Sequence, residues 1–139
     1  MKDINKVKMG KHSRAQGKAF ELKVRHDLEK LGWIVSKWSN NIELVGKGII
    51  NMDTNGKLIS AKHTFNPFTK AISAGNGFPD FICIKYNGEW KVKLVESKIT
   101  GKLDNIEKIK IKWLKDNLKI DIFVASKSKE RGKINYEQQ

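Results

Sequence analysis

The sequence is poor in cysteine, and it contains no long hydrophobic run. A single cysteine, Cys83, cannot form a disulfide within the chain, and together with three histidines it gives almost no support for a zinc site. Its apolar neighbours indicate a small buried residue in a reducing compartment, so we expect a cytoplasmic protein. No segment is apolar for long enough to span a bilayer and no signal-peptide pattern occurs, so we expect no membrane partner.

Acidic residues are also scarce. The 139 residues include 28 Lys and Arg but only 15 Asp and Glu, for a formal net charge of +13. A polyanion is the expected partner of such a chain, although a basic surface also suits a membrane or simple solubility. The length predicts one domain. We predict a basic flexible arm over residues 1–12, which is either a disordered end or a phosphate-gripping tail, and a single domain over residues 13–139.

The most informative stretch runs from Gly75 to Lys98. It reads Gly-Asn-Gly-Phe-Pro-Asp, then an apolar strand, a polar turn and a second strand that ends Val-Glu-Ser-Lys. Alternate side chains of a strand share one face, so Glu96 and Lys98 point to the same side. The side on which Asp80 lies depends on the turn that joins the two strands.

Two turns are compatible with this hairpin. A two-residue turn at Asn87-Gly88 would put Asp80 on the wrong face. A three-residue loop over residues 86–88, with Gly88 left-handed, would pair Lys85 with Glu89 and make Asp80 a diagonal neighbour of Glu96. We predict the three-residue loop, because it brings the two carboxylates together.

Two neighbouring carboxylates repel each other unless a cation lies between them. Mg²⁺ suits this position because it prefers oxygen ligands and retains waters that a substrate phosphate can replace. A lysine on the same face can orient the attacking water or stabilise the charge that develops on the phosphate. Asp80, Glu96 and Lys98 therefore predict a phosphodiesterase site. The alternative is a turn aspartate beside a solvated strand end.

Pro79-Asp80 followed sixteen residues later by Glu96-Ser97-Lys98 resembles the signature of the PD-(D/E)XK nuclease superfamily. The surrounding residues look most like those of archaeal Holliday junction resolvases and related small virus-type nucleases. The resemblance covers roughly residues 13–126. It implies an α/β fold with a restriction-endonuclease-like core, in which a central mixed sheet is flanked by helices in the order α-β-β-β-α-β.

The resemblance also implies an activity. Asp80, Glu96 and the Ser97 carbonyl would bind Mg²⁺, with Mn²⁺ able to substitute, while Glu21 on the first helix would assist through water. Lys98 would orient or deprotonate the nucleophile, and cleavage would leave a 5′-phosphate. We expect a homodimeric resolvase of branched DNA in recombination and repair. A restriction-type or nonspecific DNA nuclease, an inactive DNA-binding module and an RNA-binding protein remain alternatives.

Two helices are predicted. The first begins at Ser13, in a capping box with Gln16, and ends at Gly32. The second runs from Asp104 to Asn117. Their predicted core residues are Phe20, Val24, Leu28 and Leu31 on the first helix, and Ile106, Ile109, Trp113 and Leu114 on the second.

Some side chains on these helices have two interpretations. Glu21 either faces the sheet or pairs with Arg25 on the helix surface. Lys110 either reaches towards the site, where the resembled nucleases often carry a glutamine or lysine, or is solvated.

The predicted strands span residues 33–38, 48–52, 57–61 and 120–125, with a turn at residues 53–56. The C-terminal tail either adds an edge strand at 133–136 or stays loose. The strand at 120–125 is apolar throughout, which indicates burial on both faces and a parallel neighbour. Residues 61–70 interleave basic residues with aromatics, as in surfaces that bind phosphates and stack on bases. The alternative is that the phenylalanines fill the core. The predicted nucleic-acid contacts are Lys11, Arg14, Lys18, Lys62, His63, Lys70 and Lys110.

Overall fold

The protein folds as a mixed α/β structure, seen in a computed structural model that describes residues 4–45, 55–61, 64–68, 70–73 and 77–139. The elements along these residues are α1 (Ile4–Lys30), β1 (Ile34–Lys37), β2 (Asn40–Val45), β3 (Asn55–Ser60), β4 (Thr64–Asn66), β5 (Ala71–Ser73), β6 (Phe81–Tyr86), β7 (Trp90–Ser97), α2 (Asn105–Leu118), β8 (Asp121–Lys127) and β9 (Ile134–Gln138).

Five strands form the main sheet, in the order β1-β6-β7-β8-β9. The pair β7 and β8 is parallel and the other three pairs are antiparallel, so the sheet is mixed, as predicted. The parallel pairing of the apolar strand and the edge position of the last strand are both confirmed. The strands β2 and β3 form a separate two-stranded sheet, as do β4 and β5.

The helices cover opposite faces of the main sheet. On one face, Phe20, Val24 and Leu28 of α1 pack against side chains that include Val95 of β7. On the other face, the next residue of β7, Leu94, packs with Ile111 and Leu114 of α2 and with Ile42 and Ile122. Neighbouring residues of a strand point to opposite faces, so the apolar run of β7 supplies both cores and joins the three layers.

The helix α1 begins at Ile4, nine residues before the predicted start at Ser13, so residues 4–12 of the predicted arm are helical. The capping pattern of Ser13 and Gln16 therefore lies inside the helix. No proline precedes it in the sequence, so the helix can extend towards the N-terminus. The helix ends at Lys30, and Gly32 follows with φ +92°, as predicted for a terminating glycine. Leu31 lies beyond the last helical residue and is 54% exposed, so its prediction as a core residue was wrong.

The helix α2 agrees with its prediction to within one residue. Asp104 is its N-cap and forms a capping box with Glu107. The inward face is rotated from the predicted stripe, because Ile111 is buried whereas Ile106 is 42% exposed. Leu114 is buried as predicted, and Trp113 packs against the edge of the same core.

The hairpin between β6 and β7 has a three-residue loop, but it lies one residue later than predicted. Tyr86 pairs with Trp90 and their rings are in contact, with centroids 5.1 Å apart, so the loop is 87–89. Gly88 is left-handed as predicted, with φ +80°. The predicted pairing of Lys85 with Glu89 was therefore wrong. Continuing the observed register by one step sets Asp80 directly opposite Glu96 rather than diagonal to it.

The segment between β1 and β6 was the least well predicted. The strand β3 overlaps the predicted strand at 57–61, but β2, β4 and β5 were not predicted. The predicted strand at 48–52 lies outside the described residues. So does the first half of the predicted turn at 53–56, while Asn55 and Gly56 belong to β3.

Candidate active site

The segment that carries Asp80 is anchored to the residues that follow β1. The Trp38 backbone N–H donates to the Asp80 carbonyl at 2.9 Å, and its indole Nε1–H donates to the Phe78 carbonyl at 3.1 Å. The Phe78 N–H donates to the Asn40 carbonyl at 2.8 Å. Gly77 is in very close backbone contact, because a Cβ there would lie 1.9 Å from the Trp38 carbonyl oxygen. These contacts hold the Asp80 backbone at the start of β6.

The Asp80 carboxylate is oriented by Ser97. Its Oδ2 accepts two hydrogen bonds, from the Ser97 backbone N–H at 2.8 Å and from the Ser97 hydroxyl at 2.7 Å. Sequence reasoning predicted only a role for the Ser97 carbonyl. The structure adds that this residue fixes one oxygen of Asp80 at the end of β7.

Glu96 is the buried acid of the site, with a residue exposure of 6%. Burial raises its pKa to about 10, and the hydrogen bond to Asp80, the charge of Asp80 and the charge of Glu107 raise it in the same direction. Its Oε2 is buried without a hydrogen-bond partner among the described residues. A carboxyl group with so high a pKa keeps its proton at neutral pH, and a cation beside the two acids would favour the ionised form instead.

Lys98 lies just beyond the end of β7 and is bound to α2. Its Nζ is 2.8 Å from Oε2 of Glu107. Burial alone lowers the pKa of Lys98, but the hydrogen bond and charge of Glu107 outweigh it, so the pKa lies above its usual value. The other carboxylate oxygen of Glu107, Oε1, accepts a hydrogen bond from the Asp104 backbone N–H at 3.0 Å, which is part of the capping box. One carboxylate thus joins the lysine to the start of α2.

Sequence reasoning missed Glu107. The available signal was the Asp104-x-x-Glu107 capping box, which predicts a carboxylate at the N-terminus of a helix. That signal does not reveal that the carboxylate also binds a lysine from the end of β7.

Glu21 faces the same site from α1. It is half-buried, and its pKa is raised by burial and then by the charge of Asp80. The alternative partner Arg25 instead donates to Glu29 at 3.0 Å. The nearby charges of Lys37 and Lys18 lower the pKa of Glu21. Lys37 was not predicted at the site, although its position near the end of β1, on the same side as Val35, was a usable signal.

Lys110 reaches inward from α2, but it meets an amide and an aromatic ring rather than an acid. Its Nζ donates to Oδ1 of Asn41 at 2.9 Å and lies 5.7 Å from the centroid of the Phe78 ring. Lys110 therefore ties α2 to β2 and to the segment that precedes Asp80. The solvated alternative does not describe it.

The other predicted nucleic-acid contacts fall into three groups. Lys11, Arg14 and Lys18 are exposed on α1. Lys70 is exposed beside β5, with φ +54°. Lys62 and His63 lie outside the described residues.

The donor set suits a hard cation that retains water. Among the described residues no three His, Cys, Asp or Glu side chains form a ready-made metal cage. Mg²⁺ does not require one, because it is commonly held by one or two carboxylates together with water and substrate phosphates. Asp80 and Glu96, whose Oε2 has no partner among the described residues, are the two carboxylates that could hold such an ion.

Comparison with known proteins gives no assignment, since no protein-family model, curated protein or solved structure matches this chain. Within the described residues, no helix is both long and apolar enough to cross a membrane.

Proposed function

We propose that this chain is a metal-dependent DNA endonuclease that hydrolyses backbone phosphodiesters. The observation that carries the proposal is the pairing of Asp80 with Glu96, in which one buried carboxyl oxygen lacks a partner. A lysine and a third carboxylate border the pair. Leaving two acids so close destabilises a fold, and a divalent cation would compensate that cost.

Asp80, Glu96 and the Ser97 carbonyl would hold Mg²⁺, with Glu21 assisting through water and Mn²⁺ able to substitute. When bound, the ion would supply Lewis acidity at the phosphate and lower the pKa of a water molecule. The hydrogen bonds from Ser97 keep Asp80 in its orientation.

Lys98 would act as a charged donor beside the pair. The Lys98 Nζ is held 2.8 Å from Oε2 of Glu107. In this position Lys98 would orient the attacking water or stabilise charge on the phosphate. In-line attack would then leave a 5′-phosphate.

We also propose that the chain has a restriction-endonuclease-like core. The elements of the main sheet and its helices follow one another as α1, β1, β6, β7, α2 and β8, which supports the order α-β-β-β-α-β. On this interpretation, residues 40–73, with β2 to β5, are an insertion before Asp80, and β9 is an addition at the sheet edge.

The preferred substrate in this proposal is branched DNA, resolved in the cytoplasm by a homodimer. The net charge of +13 supports a polyanionic substrate. A twofold-symmetric pair of sites suits paired cuts in a four-way junction.

The test is to incubate purified protein with end-labelled four-way junction, duplex and single-stranded DNA, in Mg²⁺ or in EDTA, beside an Asp80→Asn variant. Paired nicks confined to the junction, and lost in EDTA and in the variant, are the expected result. Cutting of every substrate would instead indicate a nonspecific nuclease. Salt-sensitive binding without any cutting would replace the proposal with a DNA-binding module.

A further inference from the structure

The helix α1 is longer than the core requires. The helix starts at Ile4, and from Met9 onwards, where side-chain burial is described, its first buried residue is Phe20. The sixteen residues before Phe20 correspond to about 24 Å of helix at 1.5 Å per residue. Met9 is 69% exposed, and Lys11, Arg14 and Lys18 are exposed as well.

This N-terminal half of α1, residues 4–19, has a charge of one sign. It contains five Lys and Arg residues, namely Lys6, Lys8, Lys11, Arg14 and Lys18, and no Asp or Glu. None of the ion pairs among the described residues involves Lys11, Arg14 or Lys18. The first turn carries no acidic residue that would balance the positive end of the helix dipole.

Three of these basic residues also form a line that leads to the candidate site. At 100° per residue, Lys11, Arg14, Lys18 and Glu21 lie within an arc of about 80° on the helix surface. Lys18 lies one turn from Glu21 and lowers its pKa, which burial and then the charge of Asp80 raise. The line therefore starts beside Asp80 and runs outward from the core.

Such a helix gains stability from a partner. Helices of this length are marginal in water when they bury no face, and Gly10 and Gly17 weaken this one further. A membrane surface is a poor fit, because membrane-bound helices need a continuous apolar face, and the line that would continue Ile4 and Val7 is occupied by charged residues. Phosphate groups along this half of the helix satisfy the basic side chains.

We propose that the N-terminal half of α1 grips the backbone of duplex DNA beside the scissile phosphate, with Lys11, Arg14 and Lys18 each contacting a phosphate. The span from Lys11 to Glu21, about 15 Å of helix, matches roughly four base pairs of duplex. These contacts are independent of base sequence and register the strand over the site. The position of the cut relative to the grip rests on the proposed nuclease function, whereas the grip itself does not.

The test is the salt dependence of binding to a fluorescent duplex in EDTA, which prevents metal-dependent cleavage. A triple variant, Lys11→Gln, Arg14→Gln and Lys18→Gln, is compared with a control that loses the same charge at three exposed lysines elsewhere, Lys57, Lys91 and Lys115. Loss of three phosphate contacts lowers the slope of log K against log salt by about 2.7. We expect this change, and at least tenfold weaker binding at 0.1 M salt, in the first variant and not in the control.

Amide hydrogen exchange provides a second measurement on the unmodified chain. Adding duplex DNA is expected to slow exchange in residues 4–19 more than in α2. Equal slopes in the two triple variants, or unchanged exchange in residues 4–19, would overturn the proposal. Tighter binding to single-stranded RNA or to anionic lipid vesicles than to duplex DNA would also overturn it. If the slope changes in the triple variant but the protein cuts no DNA, the phosphate contacts of α1 are supported and the nuclease function is not. If the protein cuts DNA but the slope is unchanged, the nuclease function is supported and the phosphate contacts of α1 are not.

Discussion

Replacing Glu96 with glutamine should stabilise the metal-free protein increasingly as the pH rises. In the folded chain burial, followed by the neighbouring Asp80, raises the pKa of Glu96 to about 10 from an ordinary value of 4.5. Between these two values the folded protein holds a proton that the unfolded chain has released. Stability from this group is therefore fully present below pH 4.5 and is lost as the pH rises towards 10.

The size of the effect follows from proton linkage. One proton of difference changes the free energy of unfolding by about 1.4 kcal/mol per pH unit. Between pH 6 and pH 8 the loss is about 3 kcal/mol, which is a large part of the stability of a small domain. Glutamine mimics the protonated acid and does not titrate, so Glu96→Gln removes this slope. A smaller slope of the same sign should remain, because the pKa of Glu21 is also raised.

Urea unfolding in EDTA at several pH values measures this directly. Glu89→Gln is the matched control, since Glu89 is exposed in the hairpin loop. We expect the wild type and the control to lose stability in parallel from pH 6 to pH 8, while Glu96→Gln loses much less. The reasoning is refuted if Glu96→Gln shows the full wild-type slope.

Three further predictions concern the metal, the lysine and the backbone. Mg²⁺ should raise the melting temperature of the wild type more at pH 8 than at pH 6, because the ion displaces a proton. The melting temperature of Asp80→Asn should not change with Mg²⁺. Equal shifts in both proteins would contradict this prediction. Glu107→Gln should slow single-turnover cleavage about tenfold with DNA affinity unchanged, because Glu107 positions Lys98. The control Asp116→Asn breaks an exposed ion pair on the same helix and should not slow cleavage. A wild-type rate in Glu107→Gln would rule out the positioning role of Glu107. Gly77→Ala should lower the free energy of unfolding in urea by about 3 kcal/mol, because the new Cβ would collide with backbone oxygens. Gly17→Ala, with open space around it, should be neutral or should stabilise the fold by up to about 1 kcal/mol. Similar values for the two variants would refute the close backbone contact at Gly77.

The layers of the fold could be predicted from local patterns. The apolar run before Ser126 predicted a buried parallel strand, and Asp104 predicted the start of α2. Strand alternation with a three-residue loop also predicted that Asp80 and Glu96 lie close together, and the register sets them opposite each other. These features depend on residues close together in the chain.

The rest could not be decided from local sequence patterns. The register of the hairpin follows from the pairing of Tyr86 with Trp90, and an alternative loop one residue earlier has an equally good local signal. The start of α1 was misplaced because a capping box inside a helix looks the same as one at its end. The ion pair of Lys98 with Glu107 joins the end of β7 to α2 across a loop. The periodicity of a helix or a strand does not extend across a loop, so it could not predict this contact.

The most direct measurement is single-turnover cleavage of an end-labelled four-way junction by the wild type and by Glu96→Gln, in Mg²⁺ and at saturating protein. The proposed nuclease requires that the wild type cuts and that Glu96→Gln binds the junction equally well but cuts at least about 100-fold more slowly. Equal cleavage by the two proteins, or cleavage by the wild type that persists in EDTA, would contradict a metal-dependent site at Asp80 and Glu96.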